Sequence, residues 1–250
     1  MKHSRTSRAG QGLRRGFTLV EMLVVVAVIG LLAGLLLPAL SKARRRADSV
    51  RCANNLRQLG LGLRLYADDD SQGRMPAVTR VGPGPIGADP TPAWVFVLTS
   101  ALGTVDRIRL CPSDQMRAWL RTNGGCSYVL NDYVTPGPSG MRTSLTPGTD
   151  PDGEPFDEVG REPRLDRLQR PSETFLLFEA SELGQRLGDA RTHPDTWFRG
   201  WDNVLADIDP ARHERASNYL FADGHVESIA AARLRQRIES GDNFALPPRP

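Results

Sequence analysis

Three of the four histidines, His193, His213 and His225, fall in one stretch with Asp207, Asp209 and Asp223. Imidazoles and carboxylates exchange protons or hold metals near neutral pH, so this stretch offers an acid–base pair or a metal site. Its spacing matches no zincin helix, and the chain has neither a Gly-x-Ser-x-Gly elbow nor a phosphate loop. The favoured reading is a structural His213 packed against a hairpin. The chain is expected not to be an enzyme, with no catalytic residue, no metal and no cofactor assigned. A second group, Asp150, Asp152, Glu154, Asp157 and Glu158, crowds one loop. Clustered carboxylates suit Ca2+, but the twelve-residue EF-hand pattern is absent and a solvated acidic loop is favoured. The three cysteines, Cys52, Cys111 and Cys126, lack CxxC spacing and allow at most one bridge within a chain, which would persist only outside the cytosol. Glu21 stands at the head of an apolar run, where a carboxylate costs about 2.5 to 3.5 kcal/mol near a helix centre in lipid and therefore needs a partner.

That run decides what kind of protein positions these groups. From Met22 to Leu40 there is no charged residue. As a helix the segment rises roughly 28 Å, the thickness of a bilayer core. A core helix of a soluble domain keeps a polar stripe, whereas this one is apolar all round. The formal net charge is +3, yet Lys2, Arg5, Arg8, Arg14 and Arg15 all precede Gly16 with no acid among them, and removing those five leaves −2. The basicity belongs to the leader, which argues against a nucleic-acid partner.

Two ordinary export signals compete for this N-terminus. A secretory signal has a shorter apolar region and a small-residue cleavage site, whereas this run is long and ends in Lys42, Arg44, Arg45 and Arg46. Arg14-Arg15-Gly16-Phe17 has the paired arginines of a twin-arginine signal, but Glu21 is an acid at the start of its apolar run.

The residues Gly16-Phe17-Thr18-Leu19-Val20-Glu21-Met22-Leu23-Val24-Val25 closely resemble the leader junction of type IV pilins and type II secretion pseudopilins. The resemblance implies cleavage after Gly16 by a prepilin peptidase and N-methylation of the new amino terminus at Phe17. It also implies an assembly role for Glu21, paired with the amino terminus of a neighbouring subunit, and a helix kink at Pro38. Glycine leaves the cleaved bond unobstructed, and the cut creates the ammonium that Glu21 pairs with. Lys and Arg flank both ends of the span in similar number, so charge does not set orientation. The junction motif implies an N-terminus in the cytoplasm and a C-terminal domain in the periplasm, anchored by one pass through the inner membrane.

Beyond Pro38, Leu40, Ala43, Ala47, Val50, Ala53, Leu56, Leu59, Leu63 and Tyr66 recur at helical spacing, so Phe17 to about Ala67 reads as one helix, first lipid-embedded and then amphipathic. Asn218 to Ala222 and His225 to Ile229 read as strands joined by a type I′ turn at Asp223-Gly224. Thr174 to Phe178 should be a buried strand, and Trp94 to Leu98 a further one. Pro76 to Pro92 and Thr135 to Pro171 read as loops, and the tail from Gly241 as frayed.

Cys52-Ala53-Asn54-Asn55-Leu56-Arg57-Gln58-Leu59-Gly60, Cys111-Pro112-Ser113-Asp114, and His213 with nine residues before Asp223-Gly224 resemble a planctomycete and verrucomicrobial sub-group of these proteins. His213, Asp223 and Gly224 are that sub-group's structural signature. The resemblance implies a Cys52 to Cys111 disulfide, because both lie in shared motifs and Cys126 does not, while Cys111 with Cys126 stays open as the shorter loop.

The expected fold is α+β and pilin-like: a long N-terminal helix on a small antiparallel sheet with long loops. Its expected parts are a leader (1–16), a membrane span (17–40), an amphipathic continuation (41–67), a periplasmic domain (68–240) and a flexible tail (241–250). The expected function is a pseudopilus or pilus-like filament subunit for secretion or surface display. Its expected partners are a prepilin peptidase, like subunits, an inner-membrane assembly platform and membrane lipid. A single-pass anchored enzyme or binding protein and a twin-arginine export substrate are the alternatives.

Overall fold

The computed structural model describes residues 18–71, 73–76, 94–134, 165–188 and 192–248. The chain divides into two compact units, Met1–Arg44 and Arg45–Pro250. Helix α1, Leu19–Asp69, contributes to both and contains Pro38 in its interior. Every described residue from Thr18 through Arg46 is exposed. Among the described residues, α1 is the one helix long and apolar enough to cross a membrane.

In the second unit, α1 buries Cys52, Leu56, Leu59, Gly60, Leu63 and Ala67. Apart from Gly60, which sits beside Leu59, these fall three or four residues apart, one stripe of the 3.6-residue repeat. The stripe starts at Cys52, and Val50, expected in it, is 55% exposed. Leu56, Leu59 and Leu63 are fully buried, each worth about 1.5 to 3 kcal/mol relative to exposure. Gly60 sets how closely the helix approaches the sheet, because a Cβ there would lie 2.9 Å from Leu220. Past Asp69 the chain turns through Gly73, whose φ of +68° suits glycine and whose amide donates to the Asp70 carbonyl at 2.8 Å.

The sheet has four antiparallel strands in sequential order: β1 Tyr128–Leu130, β2 Phe175–Glu179, β3 Ala216–Phe221 and β4 Val226–Ala230. Its register pairs Val129 with Phe178, Phe175 with Phe221, and Leu220 with Val226, with an irregularity between Phe175 and Leu177. The period-2 alternation sends Leu130, Leu177 and Leu220 towards the α1 stripe and Val129, Phe178 and Tyr219 to the other face. That second face is aromatic: Phe175 lies 4.5 Å from Phe221 and 5.5 Å from Phe244, and Trp197 lies 5.1 Å from Phe244, centroid to centroid. The helix Ala231–Glu239 covers this layer with Leu234 and Ile238, while the helix Trp201–Asp207 adds Val204.

The strand expected over Thr174 to Phe178 is β2, whose five residues are all buried. Three other expectations are corrected. Trp94–Val97 is a helical turn, α2, followed by α3 at Thr99–Leu102; Trp94, Val95 and Leu98 are buried together at one-turn spacing, which an extended strand would not allow. The hairpin is not type I′: among described non-glycine residues only Glu214 has positive φ, so Asp223 does not. Instead Gly224 (φ +94°) closes a three-residue loop, its amide donating to the Phe221 carbonyl at 2.9 Å while Phe221 donates to His225 at 2.9 Å. This is a type I turn followed by a left-handed glycine, and Ala222 is the additional loop residue. The tail is not frayed through residue 246. Phe244 and Ala245 are buried, and Asn131 Nδ2 donates to the Ala245 carbonyl at 2.7 Å. A large aromatic ring with a core cavity to fill outweighs the entropy of a chain end. Most of the two expected loops and the whole Asp150 to Glu158 acidic group lie outside the described residues.

Candidate functional site

Two regions carry the residues singled out by sequence. The first is the start of α1. Gly16 and Phe17 lie outside the described residues. Thr18 and Glu21 form a capping box: the Glu21 amide donates to Thr18 Oγ1 at 3.2 Å, and Glu21 Oε2 accepts from the Thr18 amide at 2.8 Å and its hydroxyl at 2.7 Å. Two of the four amides that a helix start leaves unpaired are thereby satisfied, and the carboxylate has local donors. The Thr-x-x-Glu spacing was present in the sequence and overlooked behind the Glu21 charge. Pro38 has no amide to give the Gly34 carbonyl, and Ser41 Oγ instead binds the Pro38 carbonyl at 2.9 Å. Gly30 and Gly34, four residues apart, stand in open space with nothing within 4 Å of an added Cβ. That spacing permits close helix–helix approach in lipid.

The second region lies in the globular unit, where Cys52, Cys111, Asp114 and His213 meet around the Glu179 end of β2, while Asp223 and Gly224 stand apart in the hairpin loop. Cys52 of α1 and Cys111 are joined in a disulfide with Cα atoms 5.2 Å apart, while Cys126 is free and half-buried. Burial pushes the Cys126 thiol up to about 12, which keeps it protonated and unreactive. The Cys111 amide donates to Ser127 Oγ at 3.0 Å. Three residues on, Asp114 Oδ2 accepts from Gln185 Nε2 at 2.7 Å and from the buried guanidinium of Arg212 at 3.1 Å. Arg212 also reaches the carbonyls of Ser127 and Ala180 and, at 3.4 Å, the Asp209 carboxylate. Burial alone would lower its pKa, but the carboxylates of Asp114, Glu179 and Asp209 more than offset this and raise it.

Next to Arg212, His213 is held by β2. Its Nε2 lies 2.9 Å from Glu179 Oε1, the Glu179 side chain is fully buried, and Ser217 Oγ donates to the other carboxylate oxygen. Cys111 Sγ lies 3.8 Å from the same Nε2. Burial, then the nearby Glu179 charge, raises Tyr128 well above the usual phenol range, and its hydroxyl meets Asn55 Nδ2 of α1 at 3.3 Å. The result is a polar seam joining α1, the Cys111 loop, β2 and the His213 turn. Pairing is what allows such groups to be buried at all.

The six residues first read as a possible acid–base cluster do not converge. His193 Nδ1 pairs with Asp207 at 3.0 Å, which also accepts from Trp197 Nε1 at 2.7 Å. His225 Nδ1 pairs with Asp223 at 2.6 Å and its ring stacks on Phe221. Asp209 serves Arg212. Each imidazole is thus taken up by a different carboxylate. Among the described residues, the one group with metal-binding proximity is Cys52, Cys111, Glu179 and His213, whose ligand atoms lie within 4.8 Å of one another. With the disulfide closed its sulfurs are not thiolates. Sequence reading missed Glu179, Arg212 and Ser217; the visible signal was a lone carboxylate ending the apolar run Phe-Leu-Leu-Phe-Glu.

A family described as "Prokaryotic N-terminal methylation motif" matches residues 13–37. Type II secretion system core protein G of Dickeya chrysanthemi is 31% identical over 150 residues, covering 59% of this chain and 85% of the relative. Its namesake in Escherichia coli (strain K12) is 31% identical over 141 residues, 56% of this chain and 84% of the relative. Type IV wide pilus major component PilA4 of Thermus thermophilus is 53% identical over 34 residues, 14% and 26% of the two chains. No solved structure matches the chain.

Proposed function

Because the chain belongs to the type II secretion core protein G family, a pilin-like filament subunit, we propose that a prepilin peptidase removes residues 1–16 and that Phe17 becomes the methylated amino terminus. The subunit then resides in the inner membrane with that terminus on the cytoplasmic side and its globular domain in the periplasm. An assembly platform draws it into a pilus-like filament, for secretion or surface display, by packing its N-terminal helix against those of like subunits.

The observation that supports this reading best is the apolar half of α1, exposed along its whole length in the single chain. A helix apolar on every side is stable only in lipid or against other helices. The open Gly30 and Gly34 positions suit close contact with a neighbour. Glu21 has a local role in its capping box with Thr18, and the proposed second role is to accept the ammonium of a neighbouring Phe17.

Intact mass of the chain recovered from membranes tests the processing. The expected product begins at Phe17 and carries one methyl group; Gly16→Val keeps its leader, and a Gly16→Val mass equal to that of the processed native chain overturns the assignment. Assembly is tested by crosslinking. Glu21→Ala inserts and is cut, yet fails to co-assemble. Thr18→Ala loses the cap, about 0.5 to 2 kcal/mol of helix stability, and still assembles. Equal loss of assembly in both variants would reduce Glu21 to its capping role.

A further inference from the structure

We propose that the dithiol form of this protein holds one Zn2+ ion through Cys52, Cys111, His213 and Glu179. Two thiolates, an imidazole and a carboxylate form a donor set that suits Zn2+ and discriminates against the oxygen-loving Ca2+ and Mg2+. Their atoms already lie within 4.8 Å of one another. In a tetrahedral zinc site neighbouring donors stand roughly 3.3 to 3.8 Å apart. His213 Nε2 is 3.8 Å from Cys111 Sγ and 2.9 Å from Glu179 Oε1, so these two contacts already lie within about 0.5 Å of that spacing, and reduction lets the sulfurs part to complete it. A Cα separation of 5.2 Å between the cysteines is short enough for both thiolates to reach one ion.

The surroundings are organised beyond what a disulfide needs. A disulfide requires no ionisable neighbour, yet a fully buried carboxylate and a buried imidazole face it. Ser217 fixes the second oxygen of Glu179, which leaves the first directed at His213. The residue after His213, Glu214, is the one described non-glycine residue at positive φ (+74°), held by an Arg45 ion pair at 2.5 Å. Strained backbone of this kind accompanies side chains that must be aimed. Arg212, buried one residue before His213, supplies positive charge beside a site whose three anionic donors exceed the metal by one.

Metal and disulfide are then alternatives at one position. When a protein disulfide oxidase takes two electrons from the zinc-bound thiolates, Cys52 and Cys111 form their S–S bond and Zn2+ leaves. The oxidase disulfide takes up the electrons and two protons as two thiols. In the reverse direction a phosphine reductant becomes its oxide with one water, yields two protein thiols, and Zn2+ displaces their protons.

The test uses the full chain in detergent, carrying Cys126→Ser so that the pair supplies the only thiols, reduced with a phosphine under anaerobic conditions. Co2+ is the probe. The expected result is one Co2+ per reduced chain, with thiolate-to-metal charge-transfer absorption and the intense visible bands of a four-coordinate site, displaced by one equivalent of Zn2+. The oxidised chain shows none of this. Adding Cys52→Ser and Cys111→Ser abolishes the absorption. Glu179→Gln keeps thiolate absorption but weakens Zn2+ at least as much as the about 10-fold that losing even an outer-shell partner costs. The proposal is overturned if the reduced chain takes up no Co2+, whether near-UV circular dichroism finds it folded or unfolded. It is equally overturned if uptake survives the double serine change, or if oxidised and reduced chains bind alike.

Discussion

Helix α1 is one element placed in two different surroundings. Its first part, through Arg46, is exposed at every described position. Its second part buries the Cys52 to Ala67 stripe, carries the disulfide, and accepts and donates hydrogen bonds across to the sheet, as from Asn218 to the Ser49 carbonyl at 3.2 Å and from Arg64 to the Ala222 carbonyl at 3.3 Å. One backbone ladder serves both. In lipid that ladder is the reason the helix is compulsory, whereas in water tertiary packing of the apolar stripe supplies most of the stability. The two parts should therefore respond differently to the same kind of substitution.

The largest effect should come from the disulfide. Replacing Cys52 and Cys111 with serine frees a loop of sequence separation 59, which the chain-entropy model values at about 4 kcal/mol. Urea unfolding of the globular unit in the full chain should show this loss, with the spectroscopic signature of the membrane segment unchanged. A loss under about 1 kcal/mol would mean that the polar seam holds α1 to the sheet without the bond. Leucine truncation separates the two parts most directly. Leu59→Ala, at a fully buried position, should cost about 2 to 5 kcal/mol. The same change at Leu36, 66% exposed, should leave unfolding of the globular unit unaltered. Equal effects would remove the distinction drawn between the parts.

The smallest effect concerns the hairpin turn. Burial would raise the Asp223 pKa, but the backbone and side-chain hydrogen bonds of His225 prevail and lower it. A carboxylate with a depressed folded value adds stability above its unfolded pKa, about 3.9, and loses it as pH falls through the lower folded value. Asp223→Asn should accordingly flatten the acid limb of a stability-versus-pH curve below about pH 4 while leaving the curve near neutrality almost parallel to that of the native chain. An unchanged acid limb would assign the turn's stability to Gly224 and backbone geometry alone.

The membrane segment, the length of α1 and the strand at Phe175–Glu179 were legible from sequence because each rests on a local rule. An uncharged run of bilayer length, a 3.6-residue apolar repeat and a short apolar strand need no distant partner to be recognised. The capping box and the glycine pair at 30 and 34 were equally local. The helical turn at Trp94, the docking of Phe244 and the meeting of Glu179 with His213 were not, since each is decided by a cavity or a charge supplied by residues tens of positions away. A type I′ turn at Asp223-Gly224 was a reasonable local reading, overturned because Ala222 donates to the Thr174 carbonyl at 2.9 Å and so extends the pairing one residue further. Sequence determined that this chain has an apolar run of bilayer length, an N-terminal methylation motif and three separated motifs. Only the tertiary structure brought Cys52, Cys111, Asp114, Arg212 and His213 to one seam, because a buried charge is tolerated only where folding delivers its partner.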